Sequence, residues 1–523
     1  MPSLHLPRAA ALLACLLCLL MPARAQQGPP FVNPPSVTSS GGQLNVTLSI
    51  NPATVNVAGV QFQTNVYNSL YAPPTLRVRR GDVIRLKLVN NISTGQTTNL
   101  HYHGFSVSPL APADNIFLSI PPQGGVYNYV INMPANHAQG MFWYHPHPHG
   151  ISEPQVLGGM SGGMIVEGLL ESNYPEFAGI TERIMLLKDA ELTLPATSPC
   201  KPQDPDAKIK TVNGLCNPTI NIRPGEAQLW RMGNIGADAY FNLQLQGVTM
   251  YVIAVDGNAT TQPVPVSNFL LPPGARVEAI VFGPPAGTYQ FKSLVVDTGP
   301  QGDPNPEVPV ATVVSSGQQV RNLALLRRIR RLAARPPAPP TPARVRALPL
   351  TGRRQFTFDE NGAGDKFCIN NCMYDMSRVD TRVTVGDVEE WTLLNTTGEV
   401  HAFHIHQLDF LVTEINGVPQ NPTGLQDTVN LPYKNQTTGK AGEVKIIVPF
   451  TNPAIVGEFV YHCHILEHED GGMMANIVVL PPPGRQRRAL EARLRADAQR
   501  RGHAGHAQPQ SARPCVPCVL MQR

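Results

Sequence analysis

The 523-residue sequence predicts an all-β protein composed of three β-sandwich domains. The first supporting observation is an alternation of apolar and polar residues, at the period of half-buried strands, in runs such as 83–89 and 444–448. The second is a turn-rich composition with 52 prolines, 44 glycines and only 15% charged residues. The third is a weak internal repeat. Together they exclude a coiled coil, a collagen, a disordered chain and a polytopic membrane protein.

The repeat consists of a glycine and an acidic residue before a predicted strand that leads to an asparagine. Its three copies lie at 79–90, 223–234 and 385–395. Their spacing of roughly 150 residues fits one β-sandwich for each copy. We therefore place the three domains at residues 26–175, 176–315 and 353–482.

The first 25 residues match a secretory signal peptide. Arg8 precedes the apolar run Ala9–Met21, and Ala23-Arg24-Ala25 supplies a small-x-small cleavage site. This apolar run of 13 residues is shorter than the ~20 that cross a bilayer, and no later stretch approaches that length. The sequence therefore predicts an exported protein, periplasmic or secreted, without a transmembrane anchor.

Positive charge is concentrated in two segments. Residues 321–354 contain ten arginines, and residues 485–523 contain nine arginines against two acidic residues. We interpret 316–352 as a basic, Pro- and Arg-rich linker and 483–523 as a basic tail that is disordered. The alternative is a basic tether to an acidic surface or to nucleic acid. We prefer the first interpretation and predict no nucleic-acid partner.

Cysteine spacing predicts local disulfides and one unpaired thiol. Nine cysteines, less the two in the signal peptide, leave an odd number of seven. Three pairs lie close together in the sequence, namely Cys200 with Cys216, Cys368 with Cys372, and Cys515 with Cys518. An exported protein folds in an oxidising compartment, where such pairs form disulfides. Cys463 is left without a partner.

Ten of the fifteen histidines fall in short motifs that predict metal binding. The motifs are His101-Tyr102-His103, His145-Pro146-His147, His401-Ala402-Phe403-His404-Ile405-His406 and His462-Cys463-His464-Ile465-Leu466-Glu467-His468. Side chains at i and i+2 of a strand point to the same face, so each His-x-His pair presents two imidazoles to one place. The four pairs offer eight imidazoles, which suit copper, zinc or iron.

A second set of ligands faces the other way. His401 lies at an odd offset from His404, and Cys463 lies between two histidines, so both face away from the eight imidazoles. His468 and Met473 complete a set of two imidazoles, a thiolate and a thioether, which is the ligand set of a blue-copper site. The eight imidazoles suffice for three further copper ions. A structural zinc site would use about four ligands and leave the other histidines unexplained.

These motifs resemble those of the multicopper oxidases, and the run 461–474 is similar to the bacterial laccase-like branch. The resemblance covers about residues 45–482 and implies three cupredoxin-like, Greek-key β-sandwiches. It implies four copper ions per chain, with a trinuclear cluster between domains one and three. The implied ligands are His401, Cys463, His468 and Met473 for type 1; His101 and His404 for type 2; His103, His145 and His464 for one type 3 ion; and His147, His406 and His462 for the other.

The resemblance implies an oxidase that takes single electrons at the type 1 copper and reduces dioxygen to water at the trinuclear cluster. Cys463 would connect the two sites through its histidine neighbours. Glu469 and Asp114 are the expected proton carriers; the alternatives are a carboxylate that only orients ligands for Glu469 and a turn residue for Asp114.

We expect a monomer that oxidises phenols or aromatic amines, because the fourteen methionines form no Met-rich insert near the type 1 ligands. A metallo-oxidase of Cu(I), Fe(II) or Mn(II), acting in copper tolerance, is the alternative. A metal-free structural or cell-division protein is a third possibility, which the complete set of histidines and Cys463 disfavours.

Overall fold

The computed structural model of this chain describes residues 28–93, 95–334, 341–360 and 366–504. The expected signal peptide, Cys515 and Cys518 lie outside the described residues. In the described part of the chain, no helix combines the length and apolar character needed to cross a membrane. The fold is all-β, as the alternating sequence pattern predicts.

The first β-sandwich spans the N-terminal third of the chain. Its strands are β1 (Ser36–Thr38), β2 (Gln43–Val57), β3 (Val60–Tyr67), β4 (Thr75–Val78), β5 (Val83–Asn90), β6 (His101–His103), β7 (Gly125–Asn132), β8 (Gly140–His145) and β9 (Gly162–Val166). They form one sheet in the order β1-β4-β9-β8-β6 and another in the order β3-β2-β5-β7. Short helices α1 (Ser152–Leu157) and α2 (Leu169–Asn173) and a 3-10 turn at Pro175–Phe177 follow or flank β9.

The second β-sandwich follows directly. Its strands are β10 (Thr181–Ala190), β11 (Ile209–Val212), β12 (Thr219–Ile222), β13 (Ala227–Asn234), β14 (Phe241–Leu245), β15 (Met250–Val255), β16 (Asn258–Val266), β17 (Asn268–Leu271), β18 (Arg276–Phe282), β19 (Gly287–Leu294) and β20 (Val308–Ser315). The sheets have the orders β11-β10-β13-β18-β15-β16 and β12-β20-β19-β14-β17. Helices α3 (Leu323–Ala333) and α4 (Thr341–Arg346) lead to the third sandwich.

The third β-sandwich completes the core structure. Its strands are β21 (Gly352–Glu360), β22 (Phe367–Ile369), β23 (Thr381–Thr384), β24 (Val388–Asn395), β25 (His401–Ile405), β26 (Leu411–Ile415), β27 (Val418–Pro419), β28 (Thr428–Leu431), β29 (Gly442–Pro449), β30 (Gly457–Cys463) and β31 (Met474–Leu480). The sheets have the orders β22-β21-β24-β29-β26-β27 and β23-β31-β30-β25-β28. A 3-10 turn at Pro453–Ile455, helix α5 (Leu466–Asp470) and the terminal helix α6 (Arg485–Ala504) complete the third unit.

The internal repeat forms the same turn and strand in each sandwich. Its glycines all have positive φ, between 76° and 105°, at Gly81, Gly225 and Gly386. The acidic residue after each glycine accepts a backbone N–H from three residues earlier. Each closing asparagine donates its side-chain amide to a backbone carbonyl, at Asn90, Asn234 and Asn395. The repeat strand also pairs in parallel with the first long strand of its sandwich, as β2 with β5, β10 with β13 and β21 with β24.

Burial follows the alternation that predicted the strands. In β5, Ile84, Leu86 and Leu88 are buried, whereas Arg85 and Lys87 are exposed. The apolar faces of the two sheets in each sandwich enclose a separate core, so each unit has the hydrophobic interior that an independent domain needs.

The basic segments are more ordered than the sequence suggested. The expected linker contains α3, whose Ile329 is buried, and α4, whose Val345 is buried. The prediction of a disordered tail is wrong for α6, because Leu490 packs against Val478 and Leu480 at the edge of the third sandwich. Leu494 of α6 packs against the same cluster, and Arg501 pairs with Glu458 at 2.7 Å, so these contacts anchor a highly charged helix.

The cysteines in the described residues follow the predicted pattern. Cys200 and Cys216 form a disulfide. Cys368 and Cys372 are both disulfide-bonded as well. Cys463 is a free, buried thiol, and it is therefore available as a ligand.

Candidate metal centres

Strands from the first and third sandwiches bring the His-x-His imidazoles together. β6 pairs with β8 so that His101 lies opposite His145. β25 pairs with β30 so that His404 lies opposite His462. All the imidazoles of the four pairs are buried, with at most 2% exposed. The two sandwiches therefore enclose one imidazole cluster between them.

Stacked rings join the two halves of this cluster. The His101 ring stacks on His406 with centroids 3.7 Å apart, and the His103 ring stacks on His404 at 3.8 Å. Every one of these contacts joins a histidine of the first sandwich to one of the third. Neither sandwich alone could assemble the cluster.

The ligand groupings expected from the sequence are reproduced unequally. Nitrogens of His147, His406 and His462 lie within 4.8 Å of one another, which matches one expected type 3 set. The other expected type 3 set is looser. Its ring centroids are 4.9 Å apart for His103 and His464, and 5.6 Å apart for His145 and His464. For the expected type 2 pair, nitrogens of His101 and His404 lie in one close group with His406.

Several rings of the cluster have one nitrogen held by an oxygen of the protein and the other nitrogen without a hydrogen-bond partner. Nδ1 atoms lie 2.8–3.1 Å from oxygens of the protein in four rings, namely His101 to Asp114, His145 to Pro146, His404 to Asp427 and His462 to Cys463. Nε2 of His101, His145 and His404 is buried without a hydrogen-bond partner. A buried nitrogen without a partner is unfavourable unless a ligand takes its lone pair. The donor set therefore fits metal ions held at the free nitrogens.

Burial keeps these imidazoles neutral, which is the form that binds metal. Removal from water lowers the pKa well below its ordinary value for a set of the cluster histidines, namely His103, His145, His147, His406, His462 and His464. The same effect, together with the neighbouring His468, lowers the pKa of His401 to about 3.

The thiol of Cys463 lies on the opposite face of β30. Its Sγ is 3.7 Å from Nδ1 of His401 and 3.6 Å from Nδ1 of His468. The two Nδ1 atoms are 3.0 Å apart. Met473 is fully buried in the same core cluster as Cys463, and its carbonyl accepts the Cys463 N–H at 3.0 Å. The four residues expected for a blue-copper site therefore come together, and their thiolate, imidazole and thioether groups suit copper.

The two expected proton carriers both border the imidazole cluster. Glu469 is fully buried, with carboxylate oxygens 3.4 Å from Nδ1 of His147 and 3.1 Å from Nδ1 of His462. Burial raises the pKa of Glu469 well above its ordinary value. Asp114 is also buried; it contacts Nδ1 of His101 and accepts the side-chain amide of Gln407 at 2.6 Å.

The sequence interpretation missed a buried ion pair between the second and third sandwiches. The Arg276 guanidinium donates two hydrogen bonds of 2.7 Å to the Asp427 carboxylate. Asp427 in turn lies 3.1 Å from Nε2 of His103, and its carbonyl lies 2.8 Å from Nδ1 of His404. Burial alone would raise the pKa of Asp427, but the Arg276 charge outweighs it and holds that pKa below its ordinary value. One signal was available: Arg276 begins a strand that is mostly apolar, with Glu278 as its other charged residue, and buried arginines are rarely unpaired.

A small cleft reaches His468 from the surface. Its volume is about 50 Å³. The Glu399 carboxylate lies 3.1 Å from Nε2 of His468. Further charged groups line the cleft, namely Lys208, Asp238, Asp303 and Glu467. The edge of the His468 ring that faces this cleft is thus surrounded mainly by carboxylates.

Comparison with protein families gives three matches along the chain. Family models described as multicopper oxidase match residues 49–170, 191–317 and 347–483. A solved structure, the multicopper oxidase of Campylobacter jejuni that is described as a metallo-oxidase, superposes with a TM-score of 0.70 at 23% identity. It covers 87% of this chain and 95% of its own. At that identity the superposition shows the fold alone.

Curated relatives carry different names. A multicopper oxidase of Staphylococcus haemolyticus is 25% identical and covers 85% of this chain and 90% of its own length. A laccase of Bacillus subtilis is 25% identical over 80% of this chain and 90% of its own length. A cell division protein, FtsP of Photorhabdus laumondii subsp. laumondii, is also 25% identical, over 88% and 95%.

Proposed function

Because this chain belongs to the multicopper oxidase family, we propose that it couples one-electron oxidation of a small donor to the four-electron reduction of dioxygen to water. The observation that carries the proposal is the position of Cys463 between His462 and His464. Its thiol contacts the blue-copper set on one face of β30, while its two neighbours belong to the imidazole cluster on the other. Bound copper would supply the one-electron acceptor at the thiol and the oxygen chemistry at the cluster.

We assign the residues that would hold four copper ions as the sequence suggests. They are His401, Cys463, His468 and Met473 for type 1; His101 and His404 for type 2; and His103, His145, His464, His147, His406 and His462 for the type 3 pair. The free nitrogens of the cluster support this assignment. The oxygens that hold the opposite nitrogens fix the orientation of the rings, so the ligands are arranged before metal arrives.

Cys463 provides the shortest covalent path between the two centres. Adjacent residues of a strand are ~3.3 Å apart along the chain, so thiol and imidazoles are separated by one residue step each. The buried surroundings exclude water from this path. A thiol-to-serine change keeps the backbone and removes the soft ligand, and it is therefore the direct test of the proposal.

Glu469 and Asp114 would hold and pass protons at the cluster. Their support is positional: each carboxylate touches a histidine of the cluster, and each is screened from bulk water by burial. Glu469 touches both His147 and His462, so it can also orient those rings. Oxygen uptake by Glu469→Gln, compared with copper content of the same sample, separates proton delivery from ligand orientation.

We propose phenols or aromatic amines as donors, on the support of the laccase relatives and the absence of a Met-rich insert in the sequence. The carboxylates around His468 favour a second candidate donor, a metal cation such as Fe(II), Cu(I) or Mn(II). The Glu399 carboxylate in particular lies 3.1 Å from Nε2 of His468. An aromatic amine in its protonated form would be attracted by the same charges.

Parallel oxygen-uptake assays with a phenol, Fe(II) and Cu(I) distinguish these donors. Glu399→Gln should raise KM for a metal ion about tenfold and leave the phenol KM unchanged if the donor is metallic. Asp303→Asn, which removes a carboxylate of the cleft that does not touch His468, is the matched control. A greater loss with phenol than with either metal ion would reject the metallic donor.

A metal-free structural role is the remaining alternative, and the FtsP relatives keep it relevant. The full set of buried imidazoles with free nitrogens argues against it, because an unoccupied set of this kind has no structural benefit. Copper analysis of the purified chain should return about four ions. A result near zero after copper supplementation would support the structural role.

Export is also part of the proposal and rests on the sequence of the first 25 residues. Fractionation of cells and N-terminal sequencing of the mature chain would test it. A mature chain that begins near Gln26 and lies outside the cytoplasm is the expected outcome, and gel filtration of that chain should show a monomer.

A further inference from the structure

Residues 316–354 form the most one-sided charged segment of the chain. They contain ten arginines and no aspartate or glutamate. Most of the segment falls between the ranges that match the family models, which end at residue 317 and resume at residue 347. The family fold therefore does not account for these arginines.

The two helices of this segment are fixed on the protein surface. α3 packs an apolar side, which includes Leu325, Ile329 and Leu332, against the second sandwich. α4 packs Val345 against the third sandwich beside Leu411. A set of arginines is left exposed, and we call it the basic face: Arg321, Arg327, Arg330, Arg331, Arg344 and Arg346. Apart from Arg321, which precedes α3, these arginines therefore occupy fixed positions on two packed helices.

Hydrogen bonds place α3 and α4 at one junction of the second and third sandwiches. Gln262 donates to the carbonyl of Ala333 at the end of α3. Thr261, next to Gln262, donates its backbone N–H to the Thr423 carbonyl at 2.8 Å. Arg346 of α4 donates to the carbonyl of Gln420 at 2.9 Å. The C-terminal end of α3 and helix α4 thus border the same loop, which contains Gln420 and Thr423. The basic face therefore spans the junction of the second and third sandwiches.

The arginines of the basic face repel one another without internal compensation. In the described part of the chain, no carboxylate lies within 4.0 Å of any of them, whereas Arg328 pairs with Glu176. Arg327 and Arg331 are four residues apart on α3, a spacing at which like charges destabilise a helix. The helix dipole favours arginines in the last turn, but it does not favour Arg321 before the helix. A partner with negative charge would relieve this repulsion.

Exposed aliphatic side chains accompany the basic face. Leu323 at the start of α3 is 54% exposed, Leu348 after α4 is 36% exposed, and Val418 near Gln420 is 60% exposed. Arginine binds phosphate groups through its planar guanidinium, and aliphatic side chains enter the boundary between headgroups and acyl chains. Single-stranded nucleic acid is usually bound on aromatic side chains, and the exposed large apolar residues of the described chain include none. The combination fits a lipid surface better than a nucleic acid.

We propose that the basic face docks this oxidase on an anionic phospholipid surface. This inference is independent of the copper sites and of the donor. It assigns a role to a segment that the family fold leaves unexplained.

Vesicle sedimentation with the copper-loaded, full-length mature chain tests the proposal. We expect binding to phosphatidylcholine vesicles that contain about 30% phosphatidylglycerol, no binding to pure phosphatidylcholine, and release at about 0.5 M salt, where charges are screened. The triple variant R327Q/R331Q/R344Q should bind about 100-fold more weakly, since each arginine near an anionic surface contributes about fivefold in affinity. Glutamine keeps a long polar side chain and good helix propensity at the three substituted positions of α3 and α4.

A charge-matched control uses three exposed arginines of α6. R485Q/R488Q/R495Q removes the same charge and should bind within about threefold of the wild-type chain. Both triple variants should retain wild-type oxygen uptake, which shows that they are folded. Equal loss in the two variants would show that net charge alone causes binding and would overturn the proposal. Wild-type-like binding by the first variant, or binding of a DNA duplex without binding to phosphatidylglycerol vesicles, would also overturn it.

Discussion

The ion pair between Arg276 and Asp427 connects all three sandwiches, so its removal should have a large effect. Arg276 belongs to the second sandwich, Asp427 to the third, and Asp427 contacts His103 of the first. We expect Arg276→Met to leave a buried carboxylate without its counter-charge beside the imidazole cluster.

The magnitude follows from burial and geometry. Both side chains are fully buried, and two hydrogen bonds of 2.7 Å join them. Removal of one partner of a buried ion pair costs about 3–5 kcal/mol, because the remaining charge is uncompensated. Arg276→Lys keeps the positive charge but cannot form the bidentate pair, so it should recover only part of the lost free energy of unfolding.

Urea unfolding of the copper-loaded chain measures the loss of stability, and copper content measures the effect on the cluster. Arg328→Met is the matched control, because Arg328 forms a partly exposed ion pair with Glu176, with 38% of its side chain accessible. Exposed pairs contribute about 0–1 kcal/mol. We expect Arg276→Met to lower both the free energy of unfolding and the copper content, and Arg328→Met to change neither by much.

Equal destabilisation in Arg276→Met and Arg328→Met would refute the argument from burial. Normal copper content together with an unchanged type 2 electron paramagnetic resonance signal in Arg276→Met would refute the role of Asp427 in positioning His103 and His404. The type 2 electron paramagnetic resonance signal gives an independent readout, since a reoriented His404 should alter it even where copper is retained.

Four further changes test other parts of the structure. Cys463→Ser should abolish the thiolate-to-copper absorption band and the oxidation of every donor, and retained turnover would contradict the electron path. His404→Ala should keep that band but stop oxygen uptake in an oxygen-electrode assay. Glu469→Gln should slow oxygen uptake about 100-fold with the band unchanged, and a normal rate would remove its proposed proton role. Burial and the nearby Asp427 raise the pKa of Asp409 to about 8, so stability should fall as pH rises from about 4 to 8, and thermal unfolding of Asp409→Asn should show a smaller fall.

The side-chain period of a strand was sufficient to separate the two candidate centres. Cys463 and its neighbours alternate faces of β30, and the structure shows the thiol beside His401 and the neighbouring rings in the cluster. The repeat was also readable, because a glycine with positive φ and its capping carboxylate form a local turn in each copy.

Contacts between residues far apart in the chain could not be predicted from the side-chain period of strands or from local turns. Arg276 and Asp427 are 151 residues apart, and nothing in the spacing of either one predicts the other. The order of α6 was missed for a related reason: its charge pattern predicts solvation, whereas Leu490 and Leu494 pack on the third sandwich and Arg501 pairs with Glu458.

The strands, the three copies of the repeat and the types of ligand were predictable from the amino-acid sequence, because they depend on alternation and turns within a few residues. The folded arrangement was needed to show which imidazoles face one another, which nitrogens stay free and which charges lie beside them. Those properties depend on the packing of separate sandwiches, where burial selects contacts between residues that are far apart in the chain.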